Sequence, residues 1–426
     1  MVPLLTNPAD RPPNVSHSAK EAIMKALAKY FLLSIVIVIC AYLFGASALA
    51  TEKNLPEAAN SAAKHTFAMT PTTNKGKKWR IAYYEGGPFT DYQQVFTETV
   101  HALMQMGWIE PAELPKQKGE ENKILWDWLA TKAKSNYLEF PKDAFYSPNW
   151  ISKQREDLVA GLMQRLNQSK DIDLLIAVGT MAGQDFANNK HKVPTLVLTA
   201  SDPISAGIIK SVEDSGFEHV HATIDPKRYE RQIRIFHEIV DFKTLGMFFE
   251  NSVNGRSFSA IDVVQKIAKE RGFSVITCYS FDESIDDTKA RDDSVRKCMK
   301  ELADKKVDAI YVTLQNGVNN DTLPDLVKIA NENRIPTFSQ GGSAEVKAGL
   351  LLSLSQAGFK YVGNFEAQNI AQILNGAKPN QITQLFEEPP KISVNLKTAE
   401  IIGFDPPIVM LGAADEIFHT IENPSK

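Results

Sequence analysis

The strongest constraint on the fold is an alternation of short apolar segments with longer amphipathic ones, which runs from residue 79 to residue 396. The short segments, four to seven residues long, have the composition of buried strands, and the segments between them have helical periodicity. Strands that alternate with helices form parallel sheets through right-handed crossovers. The alternation occurs in two successive runs, which predicts an α/β fold of two doubly wound, Rossmann-like lobes with parallel sheets.

The predicted elements follow one another along the chain. Strands are predicted at 79–84, 173–179, 194–200, 219–225, 245–249, 273–279, 307–313, 335–339 and 391–396. Helices are predicted at 90–106, 151–168, 181–189, 228–240, 258–272, 293–305, 323–334 and 359–376. Between 107 and 150 the pattern is irregular, with a helical segment at 124–133 and a strand-like one at 137–140.

The N-terminal region has a different character. Residues 31–50 contain no charged side chain, follow two lysines and end in Ala-Leu-Ala. This pattern is typical of a secretory signal, so residues 1–50 are predicted to be a signal sequence cleaved after Ala50, with Met24 as an alternative start. Twenty apolar residues are also long enough to remain as a membrane anchor. Residues 51–77 lack periodicity and are predicted to form a flexible leader.

Small and polar residues follow six of the predicted strands, as in the segment Thr199-Ala200-Ser201-Asp202-Pro203. Ligands of open parallel sheets bind beyond the carboxyl ends of the strands. The same residue types also build ordinary turns and helix caps, so no single position decides the matter. Their recurrence at one edge of the sheets predicts a binding site. The candidate ligand-binding residues are Tyr84, Phe89, Thr90, Thr180, Met181, Ser201, Asp202, Glu250, Asn251, Gln315, Asn316, Ser339 and Gln340.

Catalytic and metal sites have little support in the sequence. There is no Gly-x-Ser-x-Gly elbow, phosphate loop or complete Gly-x-Gly-x-x-Gly motif. His219 and His221 share one strand face, but no third metal ligand lies beside them. We therefore expect no enzyme activity, metal or cofactor, although Asp202 and Glu250 leave acid–base chemistry as an alternative.

Charge and cysteine content narrow the function further. The net charge of −4 argues against a nucleic-acid partner.

The predicted mature chain contains two cysteines, Cys278 and Cys298, which either form a disulfide or stay buried as thiols.

Several motifs in a fixed order resemble the ABC-transporter substrate-binding proteins related to the tryptophan- and tyrosine-binding periplasmic proteins. The matching motifs are Gly179-Thr180-Met181-Ala182, Ser201-Asp202-Pro203-Ile204, Ala348-Gly349-Leu350 and Tyr361-Val362-Gly363, and the resemblance extends over about residues 79–412. The chain departs from the family at Gln315-Asn316, where Asp-Asn is usual, and in residues 112–136, which resemble an insertion.

The resemblance implies the type I periplasmic-binding-protein architecture, in which two lobes close around a small solute like a Venus flytrap. It implies a monomer in the periplasm that delivers its solute to an ABC permease in the inner membrane. The implied N-terminal lobe contains residues 77–220 and 345–380, and the implied C-terminal lobe contains residues 221–340 and 385–420. An anchored ligand sensor or partner-binding protein is the alternative if the signal stays uncleaved.

The expected solute is an amino acid or a similar small zwitterion, and an aromatic compound is one candidate. Thr180 and the amides of the helix that follows it are expected to hold a carboxylate, and Asp202 an ammonium. The apolar wall is expected from Tyr84, Phe89 or Tyr92. A neutral solute remains an alternative.

Overall fold

The computed structural model of the protein describes residues 67–117, 119–281, 287–356, 359–387 and 390–423. The predicted signal sequence and residues 51–66 of the predicted leader lie outside this part of the chain. Among the described residues, no helix combines the length and apolar character needed to cross a membrane.

The first half of the described chain builds one parallel sheet. Its elements are β1 (Trp79–Glu85), α1 (Thr90–Gln105), α2 (Lys123–Thr131), β2 (Leu138–Glu139), β3 (Phe145–Tyr146), α3 (Ser152–Gln164), β4 (Leu174–Val178), α4 (Thr180–Phe186), β5 (Thr195–Leu198) and β6 (Val220–Ala222). The strand order is β2-β1-β4-β5-β6, β3 also pairs with β1, and every pair is parallel. All five residues of β4 are buried, as expected for a parallel strand covered on both faces.

The second half builds a seven-stranded sheet. Its elements are α5 (Arg228–Val240), β7 (Thr244–Glu250), α6 (Val253–Ser259), α7 (Ile261–Arg271), β8 (Ser274–Ser280), α8 (Thr288–Asp304), β9 (Ala309–Val312), α9 (Leu323–Glu332), β10 (Thr337–Ser339), α10 (Ser343–Lys347), β11 (Leu352–Gln356), α11 (Phe359–Leu374), β12 (Pro390–Asn395), α12 (Leu396–Ile402), α13 (Ile408–Ala413) and β13 (Glu416–Phe418). The order is β13-β12-β11-β10-β9-β7-β8, and only the β11–β12 pair is antiparallel.

Both faces of the second sheet are covered. Met247 and Phe249 of β7 pack into one apolar cluster, whereas Phe248 between them packs into another. Because successive side chains of a strand point to opposite faces, these clusters lie on the two sides of the sheet. The predicted class, two α/β lobes with mostly parallel sheets, is confirmed.

Two predicted elements differ in the structure. The predicted helix 258–272 is divided at Ala260, whose φ of +52° cannot continue a helix, so α6 and α7 are separate. The strand β11 was not predicted, because no element was assigned between the predicted strand 335–339 and the predicted helix 359–376.

The chain passes from the second sheet back to the first between β11 and α11. Leu351, Leu352 and Leu354 belong to the core of the second sheet. From Phe359 onward α11 packs against α1, and its apolar side chains join the core of the first sheet. The resemblance places the whole segment 345–380 in the N-terminal lobe. The part of this segment up to the end of β11 lies instead with the second sheet, because β11 pairs with β10 and β12.

The described end of the predicted leader is attached to the first lobe. Trp108 Nε1 donates a hydrogen bond of 3.1 Å to the carbonyl of Met69, and Trp79 Nε1 donates one of 2.8 Å to that of Thr72. Phe67 packs against the apolar core. The prediction of a flexible leader is therefore wrong for residues 67–77, which are held by such contacts although their sequence has no helical or strand periodicity.

A disulfide joins Cys278 of β8 to Cys298 of α8. Both side chains are buried between the sheet and its covering helix. The sequence left open whether these two cysteines form a disulfide or stay as thiols, and the structure shows the disulfide.

Candidate ligand-binding cleft

A cleft lies where the carboxyl ends of the strands of both sheets meet. The space between its walls is about 1050 Å³ and is continuous with solvent. Its walls come from both sheets and from the segments that connect them. Its uncharged polar lining residues are Thr180, Thr199, Ser201, Thr223, Gln315 and Asn316.

Aromatic side chains form much of the wall, namely Phe89, Tyr92, Trp150, Phe258, Phe359 and Phe386. The rings of Phe89 and Tyr92 meet edge to face with centroids 5.2 Å apart, and Tyr92 lies 6.3 Å from Trp150. Offset and edge contacts of this kind are favourable for aromatic rings. An aromatic ring of a ligand would therefore find several aromatic side chains to pack against in the cleft.

Gly179 allows Tyr92 to reach the end of β4. A β-carbon on this residue would lie only 2.1 Å from the Tyr92 hydroxyl oxygen, and the glycine φ of +92° is strained for any other residue. The sequence motif that begins with Gly179 therefore has a structural reason, since it seats an aromatic wall residue against the strand end.

The polar groups at the strand ends are partly used within the protein. Thr180 is buried, and its hydroxyl accepts a 3.2 Å hydrogen bond from the backbone of Ser201. The amide of Gln315 is occupied by the carbonyl of Phe248 at 2.9 Å and by the hydroxyl of Ser280 at 2.6 Å. These hydrogen bonds within the protein fix the shape of the cleft wall. They leave Thr180 and Gln315 with less capacity to bind a solute.

Two opposite charges face the cleft without an ion-pair partner. Asp91 lies in the first turn of α1, and Arg228 begins α5. Neither forms an ion pair at 4 Å or closer with another residue of the described chain, and Arg228 Nε is buried without a hydrogen-bond partner. Asp225, the third charged lining residue, is instead paired with Arg231.

Burial perturbs the protonation of the Asp91 carboxyl. Desolvation raises the pKa of Asp91 to about 6, although the nearby Arg228 guanidinium lowers it. The pKa of Arg228 is raised despite desolvation, because Tyr229, Asp91, Tyr311 and Asp225 favour its charge. At neutral pH the cleft therefore presents the Asp91 carboxylate and the Arg228 guanidinium, in addition to Asp225 with its partner Arg231.

A buried carboxyl supports the cleft from below. Thr223 Oγ1, at the cleft surface, donates a 2.6 Å hydrogen bond to Glu366 of α11. Desolvation raises the pKa of Glu366 to about 8, although its hydrogen bonds with Thr223 and Asn369 lower it. The proton retained on Glu366 avoids a buried, unpaired charge beneath the site.

Six of the thirteen candidate residues line the cleft, and the others lie elsewhere. Those in the cleft are Phe89, Thr180, Met181, Ser201, Gln315 and Asn316. Tyr84 is fully buried and donates its hydroxyl to Asp185 at 3.1 Å. Thr90 donates to Glu120 at 2.7 Å and lines an adjoining cavity.

Asp202 serves the turn in which it lies. One carboxylate oxygen accepts hydrogen bonds from the backbone of Ile204 at 3.1 Å and Ser205 at 3.0 Å, and the other accepts one from the Ser205 hydroxyl at 2.6 Å. The expected role of Asp202 in holding an ammonium is not supported by this geometry, because the carboxylate already has local donors and lies outside the cleft.

Four candidates of the second lobe stand behind or beside the cleft. Glu250 is buried at the end of β7, and Asn251 is exposed in the following loop. Ser339 is buried and accepts a 2.7 Å hydrogen bond from Gly342. Gln340 donates to the carbonyl of Phe258 at 2.7 Å and accepts from the backbone of Leu314 at 2.8 Å, so it supports two cleft residues from behind.

Sequence reasoning missed Asp91, Arg228 and Trp150. Asp91 and Arg228 lie in the first turns of helices, where the pattern shows only ordinary helix starts. Trp150 lies outside any strand or helix. Their proximity to strand ends was the available signal, since Asp91 follows β1 by six positions.

The histidine pair has a structural role. His219 and His221 are buried, and each places Nε2 3.0 Å from a backbone carbonyl. Desolvation lowers the pKa of both to about 4. The described part of the chain holds no group of three residues able to bind a metal ion.

Comparison with known proteins identifies the family. A family model described as ABC transporter substrate binding protein matches residues 149–417, which is more than half of the chain. The chain belongs to this family. Family membership agrees with the sequence resemblance and with a cleft built by two lobes.

Individual relatives are more distant. A tyrosine-binding protein of Clostridioides difficile is 24% identical over 233 residues, which cover 54% of this chain and 63% of the relative. A Streptococcus pneumoniae ABC domain solved in complex with L-Trp has a TM-score of 0.58 and 20% identity, with 79% of this chain and all of that chain covered. A conserved domain protein of Vibrio cholerae gives a TM-score of 0.60 and 17% identity, covering 80% of this chain and all of that one. The structural matches establish the shared fold.

Proposed function

We propose that the protein is a periplasmic solute-binding protein that captures an aromatic L-amino acid and delivers it to an ABC permease. The observation that carries this proposal is a pair of opposite charges in an aromatic-walled cleft, Asp91 and Arg228, neither of which has an ion-pair partner among the described residues. Family membership supports the role in transport.

The two charges complement a zwitterion. A guanidinium binds a carboxylate through charge-assisted hydrogen bonds, frequently in a bidentate arrangement, and a carboxylate accepts hydrogen bonds from an ammonium. Arg228 would take the ligand carboxylate and Asp91 the ligand ammonium. A neutral solute would leave both partly desolvated charges without partners, which is costly.

The aromatic wall suits an aromatic side chain. Rings stacked or packed edge to face gain free energy beyond that of buried area alone. The names of two relatives, a tyrosine-binding protein and a domain solved with L-Trp, agree with this ligand class.

Closure of the lobes would complete the site. Asp91 and Trp150 belong to the first lobe, whereas Phe258 and Asn316 belong to the second. A ligand that contacts both walls binds the closed form more tightly than the open form and shifts the equilibrium toward closure. The closed form would then be the one that the permease receives.

Ligand analogues test the proposal on the purified mature protein. Thermal shift and calorimetry are measured with L-tyrosine, L-tryptophan and L-phenylalanine, with tyramine, which lacks the carboxylate, and with 3-(4-hydroxyphenyl)propionate, which lacks the ammonium. A ligand at one hundred times its Kd stabilises the fold by about 2.7 kcal/mol. We expect stabilisation by at least one aromatic amino acid and weaker binding of both analogues. No stabilisation by any of the three amino acids contradicts the proposal.

A further inference from the structure

Trp150 stands between two spaces in the cleft region. It lines the cleft itself and also a second cavity, which contains about 810 Å³ of space continuous with solvent. Met181 and Asn316 line both spaces as well. Arg155 and Asn254 line the second cavity but not the cleft. The indole therefore forms part of a partition.

The backbone at this partition is held in an unfavourable conformation. Asn149 and Trp150 both have left-handed φ angles, +53° and +64°. Such angles are uncommon for residues with a side chain, and for a bulky residue they signal strain that the surroundings must maintain. Two hydrogen bonds maintain it here, because Trp150 N donates to Gly86 O at 2.9 Å and its Nε1 donates to Pro88 O at 3.0 Å.

The indole also lies against a glycine pair at the end of β1. A β-carbon on Gly87 would be 2.6 Å from the indole ring, and one on Gly86 would be 2.9 Å from it. No other residue type leaves room for this approach. The glycine pair, the two hydrogen bonds and the strained backbone together fix one position of the ring.

Asp91 lies toward the end of the cleft that is away from the second cavity. Asp91 borders the cleft and a third cavity, which Trp150 does not touch, and Asp91 is absent from the lining of the second cavity. A ligand with its ammonium at Asp91 would therefore extend its side chain toward Trp150.

We propose that Trp150 sets the size limit of the ligand by closing the end of the side-chain pocket against the second cavity. This inference rests on the proposed function, because it takes the ligand to be an aromatic amino acid. Removal of the indole would join the two spaces and admit a longer side chain.

The test compares L-tyrosine with O-benzyl-L-tyrosine by calorimetry on wild-type protein, Trp150→Gly and Trp150→Phe. Glycine relieves the left-handed backbone and keeps the amide that donates to Gly86. We expect wild-type protein and Trp150→Phe to prefer L-tyrosine, and Trp150→Gly to bind O-benzyl-L-tyrosine at least tenfold more tightly than wild type does. Trp128→Ala, which changes a tryptophan outside the three cavities, is the matched control and is expected to keep the wild-type preference.

The outcomes separate this inference from the proposed function. If wild type binds L-tyrosine but Trp150→Gly still rejects the benzyl ether as wild type does, the size limit lies elsewhere and the inference is overturned. If wild type binds none of the three aromatic amino acids, the proposed function fails and the inference with it. Thermal melts of each variant verify folding, and Trp150→Ala replaces Trp150→Gly if the glycine variant does not fold.

Discussion

Replacement of Arg228 by glutamine separates ligand recognition from fold stability. Arg228 makes no ion pair within the described chain, so its loss removes no internal salt bridge. In the proposed complex it holds the ligand carboxylate. Truncation of one partner of a buried, hydrogen-bonded charge pair costs about 2–5 kcal/mol. Because a part of the Arg228 side chain remains exposed, we expect the lower part of this range, about 2–3 kcal/mol, or a roughly 30- to 150-fold weaker affinity for L-tyrosine.

Arg234 on the same helix provides the matched control. It forms ion pairs with Glu230 and Glu270 on the surface, away from the cleft. Ion pairs on the surface contribute little to stability, because solvent and salt screen the charges. We expect Arg234→Gln to lower stability slightly and leave the Kd unchanged, and Arg228→Gln to shift the Tm by no more than about 2 °C while it weakens binding.

The assay is a comparison of two ligands by calorimetry. If Arg228 contacts the carboxylate, Arg228→Gln should bind tyramine as well as wild type does, because tyramine has no carboxylate to lose. The comparison is made at pH 8, so that Asp91 stays ionised when the guanidinium that lowers its pKa is removed. Equal losses of affinity for tyrosine and tyramine would refute the assignment and would mean that Arg228 maintains the shape of the cleft.

Three further predictions follow from the same geometry. Since Asp91 must be ionised to hold an ammonium and its pKa is about 6, the Kd for L-tyrosine should rise as the pH falls below 6, and titration calorimetry should find this dependence absent in Asp91→Asn. Asp202→Ala should lose turn hydrogen bonds of about 0.5–1.5 kcal/mol each, with a lower Tm but the wild-type Kd; a large loss of affinity would return Asp202 to the site. Native Glu366 holds its proton to about pH 8, whereas an unfolded glutamate releases it near 4.5, so folding takes up a proton and this group makes stability fall as pH rises between those values. Denaturant unfolding should therefore find the advantage of Glu366→Gln over wild type larger at pH 8 than at pH 5, and an equal difference at both would exclude a buried neutral carboxyl.

Local sequence pattern was sufficient for the architecture. Two α/β lobes were predicted from the apolar segments of four to seven residues and the amphipathic segments between them. This is possible because the spacing of apolar residues along a strand or helix shows which of its faces is buried. The rule that ligands lie beyond strand ends also brought Phe89, Thr180 and Ser201 to the right edge of the sheet.

Only the tertiary structure decided which side chains face the cleft. Asp202 follows a strand as Thr180 does, yet its carboxylate is used by donors within its own turn. Asp91 and Arg228 belong to different lobes and have unremarkable local sequences, and they meet because the helices that they begin are packed at one cleft. Periodicity determines which face of an element is buried, but the direction of a polar side chain at its end depends on partners supplied by distant segments, and those partners exist only once the lobes are assembled.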